Sequence, residues 1–244
     1  MKIVVFGGTS AIAVETIKQF NKNETEVLLI DINQDRLNSV KNDIIVVSGI
    51  DSQIIEWNLS EIELQPELLN TILSKFGDFD IAYIAYGTLL NQETIRHNVQ
   101  AIKTQLTINF LSIVTLSSVI SEYFEKRNKG LLAVISSVAG DRGRQSNFIY
   151  GSAKGGLSLF LQGLRNRLNG TNITILTIKP GMVDTPMTSG MQKGILFSSA
   201  ENVGKLIYKA IIDRKENVYV PGFWKIIMLV IQHIPESIFK KLKL

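Results

Sequence analysis

Short runs of apolar, often β-branched residues alternate with segments of helical periodicity along the whole chain. Such runs are typical of strands that are buried on both faces. The predicted strands cover residues 2–6, 27–30, 53–57, 80–85, 131–136, 173–178 and 218–220. The predicted helices cover residues 9–20, 33–48, 66–76, 101–126, 150–168 and 202–214. Because parallel strands need long, usually helical crossovers, this alternation predicts one α/β domain: a doubly wound parallel sheet of about seven strands with helices on both faces.

One segment, 33–48, fits two structures. Its C-terminal part is β-branched like a strand. Apolar residues nevertheless keep helical spacing at Leu37, Val40, Ile44 and Val47. Gly49 follows at the position where glycine commonly ends a helix. We therefore predict a helix.

Composition limits the kinds of chemistry that the chain can perform. Its 244 residues are enough for one large domain, and 45% hydrophobic with 20% charged residues excludes a disordered protein. The absence of cysteine excludes disulfides, thiolate catalysis and cysteine-ligated zinc. With only His97 and His233, a multi-histidine metal site is not expected, and we predict no metal. A chain without cysteine fits a reducing compartment, so we expect a cytoplasmic protein.

The formal net charge of +4 is concentrated at the C-terminal end. The last 23 residues carry four lysines against Glu236, and the remainder of the chain is nearly neutral. A nucleic-acid binder would present a broad basic face, so we expect no nucleic-acid partner. The N-terminus enters an apolar strand directly, and no run of about 18 apolar residues occurs. We therefore expect neither a signal peptide nor a membrane-spanning helix.

A glycine turn follows the first predicted strand. Gly7-Gly8-Thr9-Ser10 leads directly into a helix, and such a turn aims free N–H groups at a phosphate. Asp31 ends the second strand, where a carboxylate accepts hydrogen bonds from an adenosine ribose and repels a 2′-phosphate. Together they predict a dinucleotide site that favours NAD(H) over NADP(H). The alternatives are an ordinary glycine turn and a solvent-facing loop acid.

A serine, a tyrosine and a lysine follow the fifth predicted strand. Ser137 closes that strand, and Tyr150 and Lys154 are four positions apart on one face of a helix. A phenol, with a pKa near 10, is a poor acid at neutral pH, but a fixed ammonium nearby lowers that pKa. The serine hydroxyl can then hold a substrate oxygen while the phenol transfers its proton. A surface tyrosine and lysine on an amphipathic helix is the alternative.

These motifs make the chain resemble the short-chain dehydrogenase/reductases over nearly all of its length. The family's glycine turn matches residues 6–13, its mid-strand element 85–87, its serine strand 135–140, its tyrosine–lysine motif 150–154 and its proline–glycine motif 180–185. The resemblance implies a Rossmann-type fold and an NAD(P)H-dependent oxidoreductase that acts on CH–OH or C=O groups. It further implies a homodimer or homotetramer.

The same resemblance implies a catalytic tetrad of Asn109, Ser137, Tyr150 and Lys154. Tyr150 would transfer the proton and Ser137 would orient the carbonyl or hydroxyl. Lys154 would hold the nicotinamide ribose and lower the pKa of Tyr150, and Asn109 would hold a water of the proton relay. The implied cofactor contacts are Gly7, Thr9, Ser10, Ala11, Ile12, Asp31, Asn58, Leu59, Ala85, Tyr86, Gly87, Tyr150, Lys154, Pro180, Gly181, Val183 and Thr185.

The sequence departs from the family pattern at three positions. Ala11 and Ala13 replace the second and third glycines of the turn, so each adds a methyl group near the pyrophosphate or the helix–strand contact. Ala85 replaces an asparagine and removes one hydrogen bond that braces the backbone.

A narrower resemblance covers residues 140–154 and 219–242, which are similar to the decaprenylphosphoryl-2-keto-β-D-erythro-pentose reductases. It implies NADH-dependent reduction of the 2-keto sugar of a polyprenyl phosphate for cell-wall glycan synthesis, with a flavin oxidase as partner. The alternatives are reduction of another ketone, such as a 3-oxoacyl or steroid-like lipid, and a catalytically silent NAD sensor or scaffold.

The C-terminal segment fits a lipid-linked substrate on physical grounds. We divide the chain into a nucleotide-binding part, 1–222, and an amphipathic basic tail, 223–244. The tail has Trp224 among aliphatic residues and lysines near its end, which is typical of a helix that lies on an anionic membrane surface. Packing on the domain or across a dimer interface is the alternative.

Arg142 and Arg144, between Ser137 and Tyr150, are candidates for binding a substrate phosphate, or else are solvated loop charges.

Overall fold

A seven-stranded parallel sheet forms the centre of the molecule in the computed structural model, which describes residues 1–242. The strands are β1 (Lys2–Phe6), β2 (Glu26–Asp31), β3 (Ser52–Glu56), β4 (Ile81–Ile84), β5 (Gly130–Ile135), β6 (Ile173–Pro180), β7 (Met182–Asp184), β8 (Phe197–Ser199) and β9 (Asn217–Val220). The order in the main sheet is β3-β2-β1-β4-β5-β6-β9, and all its pairings are parallel. The strand order reverses between β1 and β4, which is where open α/β sheets bind ligands.

Helices cover both faces of this sheet. They are α1 (Ala11–Ile17), α2 (Gln34–Ser48), α3 (Gln65–Lys75), α4 (Gln92–Ile95), α5 (Val99–Leu106), α6 (Ser112–Arg127), α7 (Phe148–Arg167), α8 (Ala200–Ile212), α9 (Phe223–His233) and α10 (Glu236–Phe239). Helices α3, α6 and α7 pack on the face that carries Val4 and Phe6. Helices α1, α2 and α8 pack on the opposite face, which carries Ile3 and Val5. The predicted doubly wound α/β architecture is confirmed.

The ambiguous segment is a helix, α2. Asn33 caps its start by accepting a hydrogen bond from the Arg36 N–H, and Gly49 ends it with a φ of +73°. Leu37 and Ile44 are buried, but Val47 is 62% exposed, so helical spacing identified only part of the buried face.

The long predicted helix spans Val99–Arg127 and contains a π-helical segment, Thr107–Leu111. The sequence predicted no membrane-spanning helix, yet by length and composition alone this helix could cross a membrane. Its apolar residues Ile113, Ile120 and Phe124 lie in the domain core instead. Such packing is sufficient to explain an apolar helix of this length.

Sequence analysis missed the short elements α4 and α10 and the two-stranded pair β7-β8. Each has three or four residues, too few to establish a period.

The N-terminal part of the tail is α9, which buries Trp224 and Met228 against Val138. Lys243, one of the predicted tail lysines, lies outside the described residues.

The glycines of α7 allow another backbone segment to lie close against this helix, as the number of glycines predicted. A Cβ at Gly155 would lie 2.9 Å from the Gly140 carbonyl oxygen, and one at Gly151 would lie 2.9 Å from the Ala139 oxygen. The turn after β5 (Val138–Gly140) therefore packs directly on the first turns of α7. This contact brings Ser137 and Tyr150 to one end of the sheet.

Candidate active site

A cavity of about 470 Å³ opens at the carboxyl ends of the strands. The first turn of α1, the ends of β2, β4, β5 and β6, and helices α7 and α9 all contribute to its lining. Of the residues predicted from the sequence, it gathers Gly7, Thr9, Ser10, Ala11, Ile12, Asp31, Ala85, Tyr86, Gly87, Ser137, Arg144, Tyr150, Lys154, Pro180, Gly181, Val183 and Thr185. The topology thus brings together motifs that lie up to 178 positions apart in the sequence.

Two predicted cofactor contacts, Asn58 and Leu59, do not line the cavity. β3 ends at Glu56, and the following turn uses Asn58 to bond Ser60 and Glu61. Leu59 is 6% exposed and packs in the core. In the structure both residues stabilise this turn, and their predicted contact with a cofactor stays a prediction.

The glycine turn depends on Gly7. Its φ is +88°, and a Cβ there would lie 2.6 Å from the Tyr86 nitrogen, so a side chain would be both strained and obstructed. Its N–H donates to the Ile30 carbonyl oxygen at 2.8 Å. The turn is thereby bonded to β2 and packs against Tyr86 just after β4.

Asp31 holds Thr9, another residue of the glycine turn, in place. Its Oδ2 accepts hydrogen bonds from the Thr9 N–H at 2.9 Å and the Thr9 hydroxyl at 2.7 Å, and its Oδ1 accepts from the Ile32 N–H. Arg36, which sequence reasoning missed, is exposed and also lines the cavity. A carboxylate and a guanidinium, which have opposite preferences for a 2′-phosphate, therefore line the same cavity.

The residues that line the cavity around the N-terminus of α1 fit a dinucleotide. Ser10 precedes α1 without capping it through its side chain, and residues 9–12 line the cavity, so the helix N-terminus is available to a phosphate. Of the two unusual alanines, Ala11 lines the cavity, whereas Ala13 is fully buried in the core. Only one of the two added methyl groups can therefore affect the phosphates directly.

Tyr150 is a protonated phenol in this structure. Burial raises its pKa to about 12, and a hydrogen bond with Ser137 opposes that rise. The Ser137 hydroxyl oxygen also accepts a hydrogen bond from the Ala139 N–H at 3.1 Å, which fixes its position. At neutral pH the phenol is thus available as a proton donor.

Lys154 is 2% exposed, and burial lowers its pKa to about 8. Its ammonium donates to the Ile135 carbonyl oxygen at 3.0 Å and lies 5.9 Å from the centre of the Tyr150 ring. The predicted lowering of the Tyr150 pKa by the ammonium stays a prediction, since burial is the largest influence on this phenol and the Ser137 hydrogen bond is what opposes it. The lysine charge is directed at the cavity end of β5.

Asn109 is fully buried in the π-helical segment and does not line the cavity. Its amide donates to the Thr88 and Gln105 carbonyl oxygens at 2.8 and 3.0 Å, and its oxygen accepts from the Thr88 N–H at 3.0 Å. Asn109 therefore braces the loop after β4. The predicted role in holding a relay water stays a prediction.

A family model described as short chain dehydrogenase matches residues 1–195. The chain belongs to this family. As a short-chain dehydrogenase it is an oxidoreductase with a Rossmann-type fold, and its family uses nicotinamide cofactors.

Named relatives agree with this assignment. An uncharacterized oxidoreductase of Mycobacterium tuberculosis is 27% identical over 240 residues, which cover 98% of this chain and 96% of the relative. A short-chain dehydrogenase from Sphingobium yanoikuyae in complex with NADPH has a TM-score of 0.80 at 16% identity, with 97% and 96% of the two chains covered. A 3-oxoacyl-[acyl-carrier protein] reductase from Brucella melitensis in complex with NAD has a TM-score of 0.76 at 17% identity, with 89% and 94% covered.

The two candidate substrate arginines of this short-chain dehydrogenase have different environments. Arg142 donates to the Gln232 and Ile234 carbonyl oxygens and to Glu236, and it lies over the Phe239 ring. It does not line the cavity and holds the tail in place, and its predicted contact with a substrate phosphate stays a prediction. Arg144 does line the cavity.

A largely buried ion pair between Lys179 and Asp141, which the sequence did not reveal, anchors the loop between β5 and α7 of the dehydrogenase. Asp141 accepts hydrogen bonds from the Lys179 ammonium at 2.6 Å and the Tyr219 hydroxyl at 2.7 Å. These partners lie on β6 and β9, so the loop after β5 is tied to both strands. Burial and the neighbouring carboxylate raise the pKa of Tyr219. No sequence spacing links residues this far apart.

Proposed function

We propose that this short-chain dehydrogenase uses NADH to reduce the 2-keto group of a pentose carried on a polyprenyl phosphate. The observation that carries the proposal is one cavity lined by the glycine turn, by Ser137, Tyr150 and Lys154, and by Trp224 of α9. The predicted dinucleotide site and the proton donor Tyr150 therefore lie in the same cavity as Trp224, which belongs to the segment that resembles reductases of lipid-linked keto sugars.

The chain's own residues supply the proton and the orientation of the ketone. When bound, the nicotinamide supplies the hydride for the carbonyl carbon. The Tyr150 hydroxyl donates its proton to the carbonyl oxygen, and the Ser137 hydroxyl donates a hydrogen bond to that oxygen. Lys154 holds positive charge beside the developing alkoxide and contributes hydrogen-bond donors for a ribose. The ketone becomes an alcohol with one hydride and one proton added.

The outer face of α9 supports a substrate that is presented at a membrane. Its side chains Phe223, Ile226, Leu229 and Val230 are 41–69% exposed, while the opposite face is buried. A helix that is apolar on both faces needs an apolar partner on each. The exposed cations Lys225, Lys240 and Lys241 favour an anionic surface as that partner. We place the enzyme at the cytoplasmic face of the membrane, as a homodimer or homotetramer supplied by a flavin oxidase.

Asp31 supports NADH as the preferred cofactor, and its charge can be tested without disturbing the turn. Asp31→Asn keeps an acceptor for Thr9 but removes the charge that repels a 2′-phosphate. We expect the ratio of kcat/KM for NADH to that for NADPH to fall by about tenfold, equivalent to about 1.4 kcal/mol. Arg36→Gln is the control and should lower kcat/KM for NADPH alone. An unchanged ratio in Asp31→Asn would contradict the assignment of Asp31.

The proposed substrate is tested by NADH oxidation with a polyprenylphosphoryl 2-keto-pentose in vesicles that contain anionic lipid. We expect turnover with NADH, slower turnover with NADPH, and little with a soluble 3-oxoacyl thioester. Efficient reduction of the thioester without reduction of the keto sugar would replace the substrate and keep the chemistry. NADH binding without turnover of any ketone would favour a sensor or scaffold.

A further inference from the structure

Two buried donors on one wall of the cavity lack partners among residues 1–242. They are Nε of Arg144 and Nε1 of Trp224, and both residues line the cavity. Trp224 is 2% exposed, and its indole packs directly over Gly181, where any side chain would collide with the indole nitrogen. A buried donor without an acceptor costs about 1–3 kcal/mol, so such groups usually mark a site for a ligand or an ordered water.

Within residues 1–242 the guanidinium of Arg144 also forms no salt bridge. Its Nη2 group donates a hydrogen bond to the Met228 sulfur at 3.3 Å, and a thioether is a weak acceptor. The neighbouring carboxylate, Asp141, is already bonded to Lys179 and Tyr219. Burial lowers the pKa of Arg144, and only the charge of Asp141 opposes that change. The cavity wall thus holds a half-buried cation that an anion would stabilise.

The lining of the same cavity also includes a hydrogen-bond acceptor. The Oδ1 atom of Asn147, which also lines the cavity, is buried without a partner within the described part of the chain. A donor such as a hydroxyl group would satisfy it. The cavity lining therefore combines one cation, one neutral donor and one acceptor.

We propose that Arg144 and Trp224 form an anion subsite that selects ketones carrying a phosphate or carboxylate group, with Asn147 taking a neighbouring hydroxyl. The inference rests on the proposed function and names the substrate class of the same cavity: an anionic polyhydroxy ketone. Arg144 makes charge-assisted hydrogen bonds to the anion. Because Trp224 lies on α9 and Arg144 contacts Met228 of the same helix, docking of the tail completes the subsite. Arg142 serves it indirectly, by holding the tail in place.

Inorganic phosphate is the probe, measured by calorimetric titration of the full chain saturated with NADH. We expect Arg144→Gln to weaken phosphate binding at least about tenfold, and Trp224→Phe, which keeps the ring but removes the N–H, to weaken it less. Arg167→Gln is the matched control, because Arg167 is an exposed arginine paired with Glu125 outside the cavity. It should leave phosphate binding unchanged.

A second experiment determines whether Arg144 binds the anion of the substrate or a phosphate of the cofactor. Arg144→Gln should keep the NADH affinity of the wild type, which also shows that it folds. It should raise KM for a phosphorylated ketose at least about tenfold and leave KM for the unphosphorylated ketose unchanged. Absent phosphate binding in the wild type, or equal binding in Arg144→Gln, would overturn the subsite. A parallel loss of NADH affinity would assign the arginine to the cofactor. Because the titration needs no turnover, failure of the proposed reaction would be recognised separately.

Discussion

Tyr150→Phe is expected to lower kcat by roughly 10²- to 10⁴-fold, the usual contribution of a positioned general acid. The substitution removes one hydroxyl and keeps the ring, so the walls of the cavity remain. Burial raises the pKa of Tyr150 to about 12, so the phenol is protonated throughout the neutral range and is ready to donate. The loss should therefore be in kcat, with the affinity for NADH within about twofold of the wild type.

Steady-state kinetics and an NADH titration on the same preparations would measure both quantities. Tyr123→Phe is the control: its hydroxyl bonds Asp78 and the Phe79 N–H, away from the cavity. That variant should lose stability without losing kcat. If Tyr150→Phe kept more than a tenth of wild-type kcat, another group would have to supply the proton.

Lys154→Met is expected to abolish turnover and to make the protein more stable at pH 7. The folded protein holds Lys154 with a pKa of about 8, below the ordinary value of 10.5, because burial disfavours the charged form. At about 1.4 kcal/mol for each pKa unit, the charged lysine costs about 3 kcal/mol at neutral pH. The bond to the Ile135 oxygen, worth about 1 kcal/mol, is lost in the variant. The net gain in the free energy of unfolding is therefore about 2 kcal/mol.

The pH dependence gives this prediction a second readout. Between pH 8 and 10.5 the unfolded chain binds more protons than the folded one at this lysine, so wild-type stability rises with pH in that window. Below pH 8 the cost is constant. The advantage of Lys154→Met, measured by urea unfolding, should therefore shrink as the pH rises from 8 towards 10.5. A variant that is less stable than the wild type at pH 7, or an advantage independent of pH, would contradict the buried charge.

The doubly wound parallel sheet of about seven strands and the grouping of the catalytic motifs were predictable from the sequence, because both depend on local patterns. Apolar runs identify strands, and parallel pairing then brings their carboxyl ends together, so Ser137, Tyr150 and Asp31 line one cavity. The spacing of Tyr150 and Lys154 fixes their helix face. The glycines of α7 indicated a close approach before the approaching turn was known.

Features that depend on burial and on distant contacts were not predictable. The sequence gives no reason to distinguish Arg142 from Arg144, which lie two positions apart in one loop. Their roles differ because Arg142 binds the docked tail, whereas Arg144 lines the cavity. The pKa of Tyr150 depends on how completely the surrounding elements exclude water, which spacing does not report. The local bonds of Asn58 and the core packing of Leu59 likewise depend on contacts that the family pattern does not report.

Transfer of deuterium from C4 of the nicotinamide of labelled NADH to the ketone tests the proposed reduction most directly. With the lipid-linked 2-keto-pentose, we predict that the product alcohol carries one deuterium from the cofactor with the wild type and that Tyr150→Phe yields almost none in the same time. Labelled NADH that binds in the cavity but never passes its deuterium to the keto sugar or to any other ketone would contradict the assignment of this chain as a reductase.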